Sequence, residues 1–117
     1  MSEHDHQVAL FEWADYQTGM YPELAFMYAI PNGGHRHKAT AGKMKAEGQK
    51  AGVLDIHLPV ARGGYIGLWV EMKFGSNGPT QEQKAWLVAM RTFGHRAVVC
   101  HDWEDAKAII EEYLNEA

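Results

Sequence analysis

Two stretches of the sequence, 53–60 and 65–74, alternate between apolar and polar residues and constrain the fold more than any other feature. A period of two is typical of a β-strand with one buried face. Arg62-Gly63-Gly64 lies between the stretches and supplies the residues of a turn, so the two are predicted to form an antiparallel hairpin. The predicted buried faces consist of Leu54, Ile56, Leu58 and Val60 in the first strand and Ile66, Leu68, Val70, Met72 and Phe74 in the second.

The register of this hairpin brings two carboxylates together. A slip by one residue would set the apolar face of one strand beside the polar face of the other, so only shifts of two residues are allowed. Pairing Ile56 with Val70 sets Asp55 directly against Glu71. A shift of two in either direction still leaves the two carboxylates within one pleat of each other, on the face that also carries Lys73.

Two interpretations of this trio are open. Like charges that face each other destabilise a sheet, and Lys73 could neutralise them as part of a surface salt-bridge cluster. Alternatively, Asp55 and Glu71 bind a divalent cation. Magnesium prefers oxygen ligands and is often held by one or two carboxylates plus substrate phosphate. Such an ion acidifies a bound water, and a neighbouring ammonium stabilises the same developing charge.

The remaining periodicities predict a mixed α/β fold. Helices are predicted over 3–16, over the basic stretch 38–49, from Thr80 onwards and after Asp102; further strands are predicted over 24–30 and between His95 and His101. Thr80 and Gln83 have the spacing of a capping box. The order is therefore α, β, α, β, β, α, β, α. Trp69 is expected to pack against the first helix.

Length and composition indicate one globular domain over 1–117, with a formal net charge of −4. The charge is uneven: five basic residues and one acidic residue lie between 35 and 50, whereas six acidic residues and one lysine lie from 102 to the end. The basic segment fits a face that meets phosphate, and it equally fits a solvated helix face. No apolar run is long enough to span a membrane, and Cys100 has no partner for a disulfide. We expect a cytoplasmic protein, in a bacterium or a phage-infected cell.

Several motifs together resemble a nuclease family. Gly52-Val53-Leu54-Asp55 followed by Glu71-Met72-Lys73 resembles the signature of the PD-(D/E)xK nucleases, whose restriction-endonuclease-like core is a mixed central sheet flanked by helices. The chain looks closer still to the VRR-NUC branch, through Glu3-x-x-x-Gln7, Ile30-Pro31-Asn32-Gly33-Gly34 and Thr80-Gln81-Glu82-Gln83-Lys84-x-Trp86-Leu87. The resemblance spans nearly the whole chain. It departs at Leu54, where the family usually has proline.

The resemblance implies roles for individual residues. Asp55 and Glu71 would bind Mg2+ or Mn2+, with the backbone carbonyl of Met72, and Lys73 would activate or orient the attacking water. Glu3 would complete the metal shell directly or through water. The same likeness places Gln83 in the catalytic set and Gln7 at the edge of the site, in contact with nucleic acid. Gln83 also fits a purely structural capping role, and Glu3 and Gln7 also fit ordinary helix positions.

Other residues add candidates and rivals. His35, Arg36 and Lys38 are predicted to contact phosphate. The pairs His4-x-His6 and His35-x-His37 suggest a histidine-based metal-binding protein as a less favoured hypothesis. His57 is predicted to share the active face of its strand, where it could lie near substrate, although an exposed or supporting position is favoured.

By analogy with the family, the protein is predicted to be an endonuclease of branched, Holliday-junction-like DNA that acts as a homodimer. Surplus aromatic residues (Trp13, Tyr16, Tyr21 and Trp103) are candidates for the dimer interface. The small size leaves room for an unidentified protein partner that supplies specificity. The alternative from another class is a catalytically silent DNA-binding or assembly module with the same fold.

Overall fold

A computed structural model describes residues 1–31 and 38–117 of the chain, together with the side chains of all of these except 38 and 39. The elements are α1 (Glu3–Tyr16), a short 3-10 helix (Pro22–Phe26), β1 (Tyr28–Ala29), α2 (Lys38–Ala46), β2 (Ile56–Leu58), β3 (Leu68–Met72), α3 (Gln81–Thr92), β4 (Arg96–Cys100) and α4 (Trp103–Leu114). The predicted α/β class and the predicted order of helices and strands are confirmed.

The four strands form a mixed sheet in the order β1-β2-β3-β4. β2 pairs antiparallel with β1 and with β3, and β3 pairs parallel with β4 through the crossover helix α3. The hairpin has the predicted register, with Ile56 opposite Val70 and Leu58 opposite Leu68. Since the register fixes which side chains share a face, Glu71 and His57 lie on one face of the sheet, as the alternation predicts.

Helices cover both faces of this sheet. α1 and α4 pack on the face that carries Ile56, Val70 and Met72, and together they form the larger core. α3 packs on the opposite face, where Leu87 meets Leu54 and Ala97 in a smaller cluster. The site residues of β2 and β3 therefore lie on the α3 side of the sheet.

Side-chain caps explain where three helices begin. The capping box predicted at α3 is present: Gln83 N donates to Thr80 Oγ1 at 3.2 Å, and Thr80 N donates to Gln83 Oε1 at 2.8 Å. Ser2 and Asp5 form the same reciprocal pair at α1, and Asp102 caps α4 as predicted. Each cap satisfies amide groups that the first helical turn leaves without partners.

Four sequence predictions were wrong in detail. Leu54, predicted to share a buried face with Ile56, is buried on the α3 side with Leu87, because β2 begins only at Ile56. The strand predicted over 24–30 is a 3-10 helix up to Phe26 and a strand of two residues after it, because Pro22 fixes a helical φ at the start of the segment. Trp69 lies on the α3 side of the sheet and not against α1. Ile66 and Phe74 are exposed because β3 begins after the first and ends before the second.

Three of the four aromatic residues predicted for an interface are instead packed on the larger core: Trp13, Tyr21 and Trp103. Tyr16 is exposed. Among the helices that the structure describes, none has the length and apolar character needed to cross a membrane.

Candidate active site

Asp55 lies at the entrance to β2 and is held at both its backbone and its side chain. Its carbonyl accepts a hydrogen bond from Ile30 N at 2.7 Å, which joins it to the end of β1. Its Oδ2 accepts one from Met72 N at 2.9 Å, which joins it to β3. A carboxylate fixed by a backbone amide keeps one oxygen atom, Oδ1, for other partners.

Glu71 is the most unusual residue of the site. It is 1% exposed and is the one charged residue that is buried among the described residues. Its Oε2 lies 3.2 Å from Lys73 Nζ, whereas its buried Oε1 has no hydrogen-bond partner in the described part of the chain. Buried polar atoms are nearly always hydrogen-bonded, so this oxygen calls for a partner, either a proton shared with the adjacent Asp55 carboxyl or a bound cation.

Lys73 is placed by β4. Its backbone N donates to the carbonyl of Cys100 at 2.8 Å, which extends the parallel pairing by one residue beyond β3. The side chain is 11% exposed, so its ammonium group is largely shielded from bulk water where it contacts Glu71. The hairpin and the parallel strand together bring Asp55, Glu71 and Lys73 to one place, as predicted from the register.

The electrostatics of the pair are those of two carboxylates held close together. Burial and, after it, the charge of Asp55 raise the pKa of Glu71 to about 7, and Lys73 opposes the shift. Burial also raises the pKa of Asp55, against the opposing effects of the Met72 amide and Lys73. Two carboxylates in this position resist simultaneous ionisation, and a bound divalent cation removes that cost.

The residues present fit a magnesium or manganese ion. The ligands would be oxygen atoms of Asp55 and Glu71, since Glu71 Oε1 is unpartnered and both groups favour a nearby positive charge. Within the described ranges, no set of three histidine, cysteine or acidic residues is arranged to hold a metal. The remaining ligands would therefore be water, substrate oxygens or a backbone carbonyl, in keeping with the habits of Mg2+.

The structure gives different amounts of support to the other predicted site residues. Glu3 is exposed on α1, and its negative charge is the weakest of the influences named on the raised pKa of Asp55, so its predicted role at the metal stays a prediction. Gln83 Oε1 is engaged in the capping box of α3, in line with its structural alternative. Gln7 is half-buried on α1 beside His4, Val8 and Phe11. The amide of Met72 binds Asp55, while the predicted role of its carbonyl stays a prediction.

The predicted phosphate contacts fall mostly outside the described residues. His35 and Arg36 are not among them, and Lys38 is described only as the first residue of α2. Farther along the same basic segment, Lys43 and Lys45 are exposed.

Sequence reasoning missed the contact between the loop before β2 and the start of α3. Gly52 has a φ of +80°, and a Cβ there would lie 2.4 Å from Glu82 Cβ and 2.7 Å from the Glu82 carbonyl carbon. Trp86 Nε1 donates to the carbonyl of Ala51 at 3.1 Å. This contact fixes the approach of the chain to Asp55. The available signal in the sequence was Gly52, three residues before Asp55.

Aromatic side chains continue the site face away from the carboxylates. Tyr28, His57 and Trp69 occupy paired positions on β1, β2 and β3. The His57 ring stacks on Trp69 with centres 4.0 Å apart, and His95 approaches both rings edge-on. Burial, followed by the charge of His95, lowers the pKa of His57. The predicted position of His57 on the active face is confirmed, and it is half-buried.

Comparison with known proteins identifies the fold. No family model matches the chain, and no curated protein sequence does. A solved structure described as a VRR_NUC domain protein superposes with a TM-score of 0.85 at 26% identity, over 100% of this chain and 91% of that chain. The protein therefore has a VRR-NUC-like fold, consistent with the restriction-endonuclease-like architecture. The resemblance stated from the sequence is confirmed at the level of the fold.

Proposed function

We propose that this protein, with its nuclease-type fold, is a metal-dependent endonuclease that hydrolyses phosphodiester bonds in DNA with Mg2+ or Mn2+ as cofactor. The observation that carries the proposal is Glu71. Its carboxylate is buried, touches Lys73 on one oxygen and offers the other to a partner outside the described protein atoms. Lys73 compensates one oxygen of this buried carboxylate, and a cation shared with Asp55 would compensate the other.

The three central residues have complementary tasks in this reaction. A bound divalent cation supplies an acidified water and neutralises charge on a phosphoryl oxygen. Asp55 is oriented for binding by the Met72 amide, and Glu71 is oriented by Lys73. Lys73, whose ammonium group carries hydrogen-bond donors beyond the one that faces Glu71, would position the attacking water or a phosphate oxygen.

Glu3 and Gln83 are assigned supporting tasks. Glu3 would bind a metal-coordinated water, as the likeness to the VRR-NUC branch implies, and its exposed place on α1 leaves its carboxylate available. Gln83 would hold the start of α3 beside the site through its cap, with its amide nitrogen as a further hydrogen-bond donor. Gln7 would contact nucleic acid from α1.

The substrate proposed is branched DNA of the Holliday-junction type, bound through its phosphates. The exposed Lys43 and Lys45 of α2 and the nearby Lys50 support a phosphate-binding face on an otherwise acidic protein. Phosphate contacts position a protein without reading sequence, which suits recognition of DNA shape. A homodimer would present two sites related by a two-fold axis to the two equivalent strands of a junction. We place this activity in the cytoplasm of a bacterial or phage-infected cell.

The test is cleavage of labelled four-way junction, flap and linear duplex DNA in Mg2+ or Mn2+. We expect the junction to be cut by the wild-type protein and not by Lys73→Ala or Asp55→Asn. Lys107→Ala, on α4 and away from the site, is the matched lysine control and should cut like the wild type. Junction binding by the wild type without cleavage of any substrate in either ion would favour the silent DNA-binding module instead.

A further inference from the structure

A pair of histidines lies on the same side of the sheet as the carboxylates but farther along it. His57 belongs to β2, and His95 immediately precedes β4. Their ring centres are 6.0 Å apart, with the planes at 69°. Gly67, which immediately precedes β3, lies beside both rings. Along the strands His57 lies two residues from Asp55 and Gly67 lies four residues from Glu71, so backbone positions here are about 7–13 Å from those of the carboxylates.

One nitrogen atom of each ring is buried and has no protein partner. Within residues 1–31 and 38–117, His57 Nε2 and His95 Nδ1 are two of the four buried side-chain polar atoms that lack a hydrogen bond. Most buried polar atoms in folded proteins are satisfied by protein or solvent. Two unsatisfied imidazole nitrogens in adjacent rings therefore indicate a ligand that both can bind.

The space between these nitrogens is kept open by a glycine. A Cβ on Gly67 would lie 2.9 Å from His95 Nδ1 and 3.3 Å from His57 Nε2, so both nitrogens point to the same small volume. The backbone of Gly67 does not have the left-handed conformation that would itself require glycine. A side chain at position 67 would instead fill the gap between the two histidines.

Tyr28 forms a hydrogen bond with the His57 ring. Its hydroxyl lies 2.7 Å from His57 Nδ1. If the hydroxyl oxygen accepts the Nδ1 proton, Nε2 carries a free lone pair directed toward His95. Histidines that bind metals commonly donate their second ring N–H to an oxygen atom in this way, which sets the tautomer and the orientation of the ring.

We propose that His57 Nε2 and His95 Nδ1 form a second metal site, for a Zn2+-like transition ion, distinct from the carboxylate site. The rings are close to the spacing that one ion requires. An imidazole centre lies about 3.2 Å from an ion bound at one of its nitrogens, so at the tetrahedral angle of zinc two ring centres lie about 5.2 Å apart. The observed 6.0 Å is wider, so the two rings would move together by about 1 Å on binding. Neutral imidazole suits zinc, nickel and copper, whereas Mg2+ prefers oxygen ligands, so the two sites select different ions.

The ion would tie β2 to the segment that leads into β4. Because no third histidine, cysteine or acidic residue of the described chain joins the pair, the remaining coordination positions belong to water or to an added ligand. The site is therefore expected to be exchangeable. It stands independently of the proposed nuclease activity, since none of its ligands is shared with Asp55 or Glu71.

The test is a titration of the folded protein with ZnCl2, followed by NMR of the imidazole nitrogens. The background is Asp55→Asn, which weakens competition from the carboxylate site. We expect Zn2+ to shift His57 Nε2 and His95 Nδ1, and MgCl2 to leave both unchanged. In the same background, His57→Ala and His95→Ala should each weaken the zinc affinity by about tenfold or more, and Tyr28→Phe by about tenfold.

Gly67→Ala gives a test that retains both histidines. Its methyl group would fill the gap between the nitrogens, so zinc binding should be lost while circular dichroism shows an intact fold. Gly19→Ala, where a Cβ meets no atom within 4 Å, is the matched control and should bind zinc normally. Zinc that leaves both nitrogens unshifted, or that shifts them equally in Gly67→Ala, would overturn the proposal.

Discussion

Replacing Glu71 by glutamine removes the buried acid while keeping its size, and it is expected to stabilise the metal-free protein at neutral and alkaline pH. The pKa of Glu71 is about 7 in the folded protein, against an ordinary value of 4.5. Ionising Glu71 in the folded state is therefore less favourable than in the unfolded chain by about 3 kcal/mol, from 1.36 kcal/mol per pH unit. Since the glutamine amide must find partners of its own, the expected gain is between about 1 and 3 kcal/mol.

The sign of the pH dependence follows from proton binding. Between about pH 4.5 and 7 the folded wild type binds the Glu71 proton more tightly than the unfolded chain does. The free energy of unfolding contributed by this group therefore falls as the pH rises through that window. Glu71→Gln lacks this proton, so the two proteins should have similar stability near pH 5, and the variant should be the more stable at pH 8.

Urea unfolding of both proteins from pH 5 to 8, in the presence of a chelator, measures this difference. Glu12→Gln is the control, because Glu12 is exposed in the middle of α1 and its change should leave stability within about 0.5 kcal/mol. Mg2+ at one hundred times its Kd should then raise the free energy of unfolding of the wild type by about 2.7 kcal/mol. It should leave that of Glu71→Gln unchanged. A stability difference that stays constant across the pH range would refute the account of a raised Glu71 pKa.

Three further substitutions test the scaffold around the site. Gly52→Ala forces its Cβ into the backbone of Glu82, so thermal unfolding should show a loss of about 1–3 kcal/mol, greater than that of Gly48→Ala, which shares a positive φ but has open space around it. An equal loss in both would mean that the contact with α3 is unimportant. Gln83→Ala removes the half of the capping box in which the Gln83 side chain accepts from Thr80 N, and should cost about 0.5–1.5 kcal/mol in urea unfolding. A large loss of cleavage rate in the folded variant would show a direct role of Gln83 in the site. Leu10→Ala empties a fully buried position between α1 and the sheet and should cost about 2–5 kcal/mol by the same measurement, whereas a loss below 1 kcal/mol would contradict its place in the core.

The geometry of the hairpin could be predicted because it depends on parity. Once Ile56 and Val70 must both face the core, Asp55 and Glu71 must lie near each other on the other face, whatever packs around them. The sequence contained no comparable rule for how deeply Glu71 is buried. Burial depends on the helix that covers the face, and the start of α3 packs against Gly52, a contact between distant parts of the chain that no local pattern reveals.

The same limit explains what was wrong or missed. Alternation along β3 predicts that Trp69 shares a face with Glu71, but it does not say which helix lies over that face. The segment at Pro22 is apolar enough for a strand, and the fixed φ of proline favours a helical turn instead. His95 lies outside the alternating stretches, so no local pattern could place it beside His57.

The most direct test of the central claim is the rate of a single-turnover junction cleavage measured against Mg2+ concentration, for the wild type, Asp55→Asn and Lys73→Ala. We predict a saturating dependence on Mg2+ in the wild type and no cleavage with a chelator. Lys73→Ala should lower the maximal rate by about a hundredfold or more, and Asp55→Asn should in addition abolish saturation by Mg2+. Cleavage that needs no divalent ion, or that persists at the wild-type rate in both variants, would contradict the assignment of Asp55, Glu71 and Lys73 as the active site.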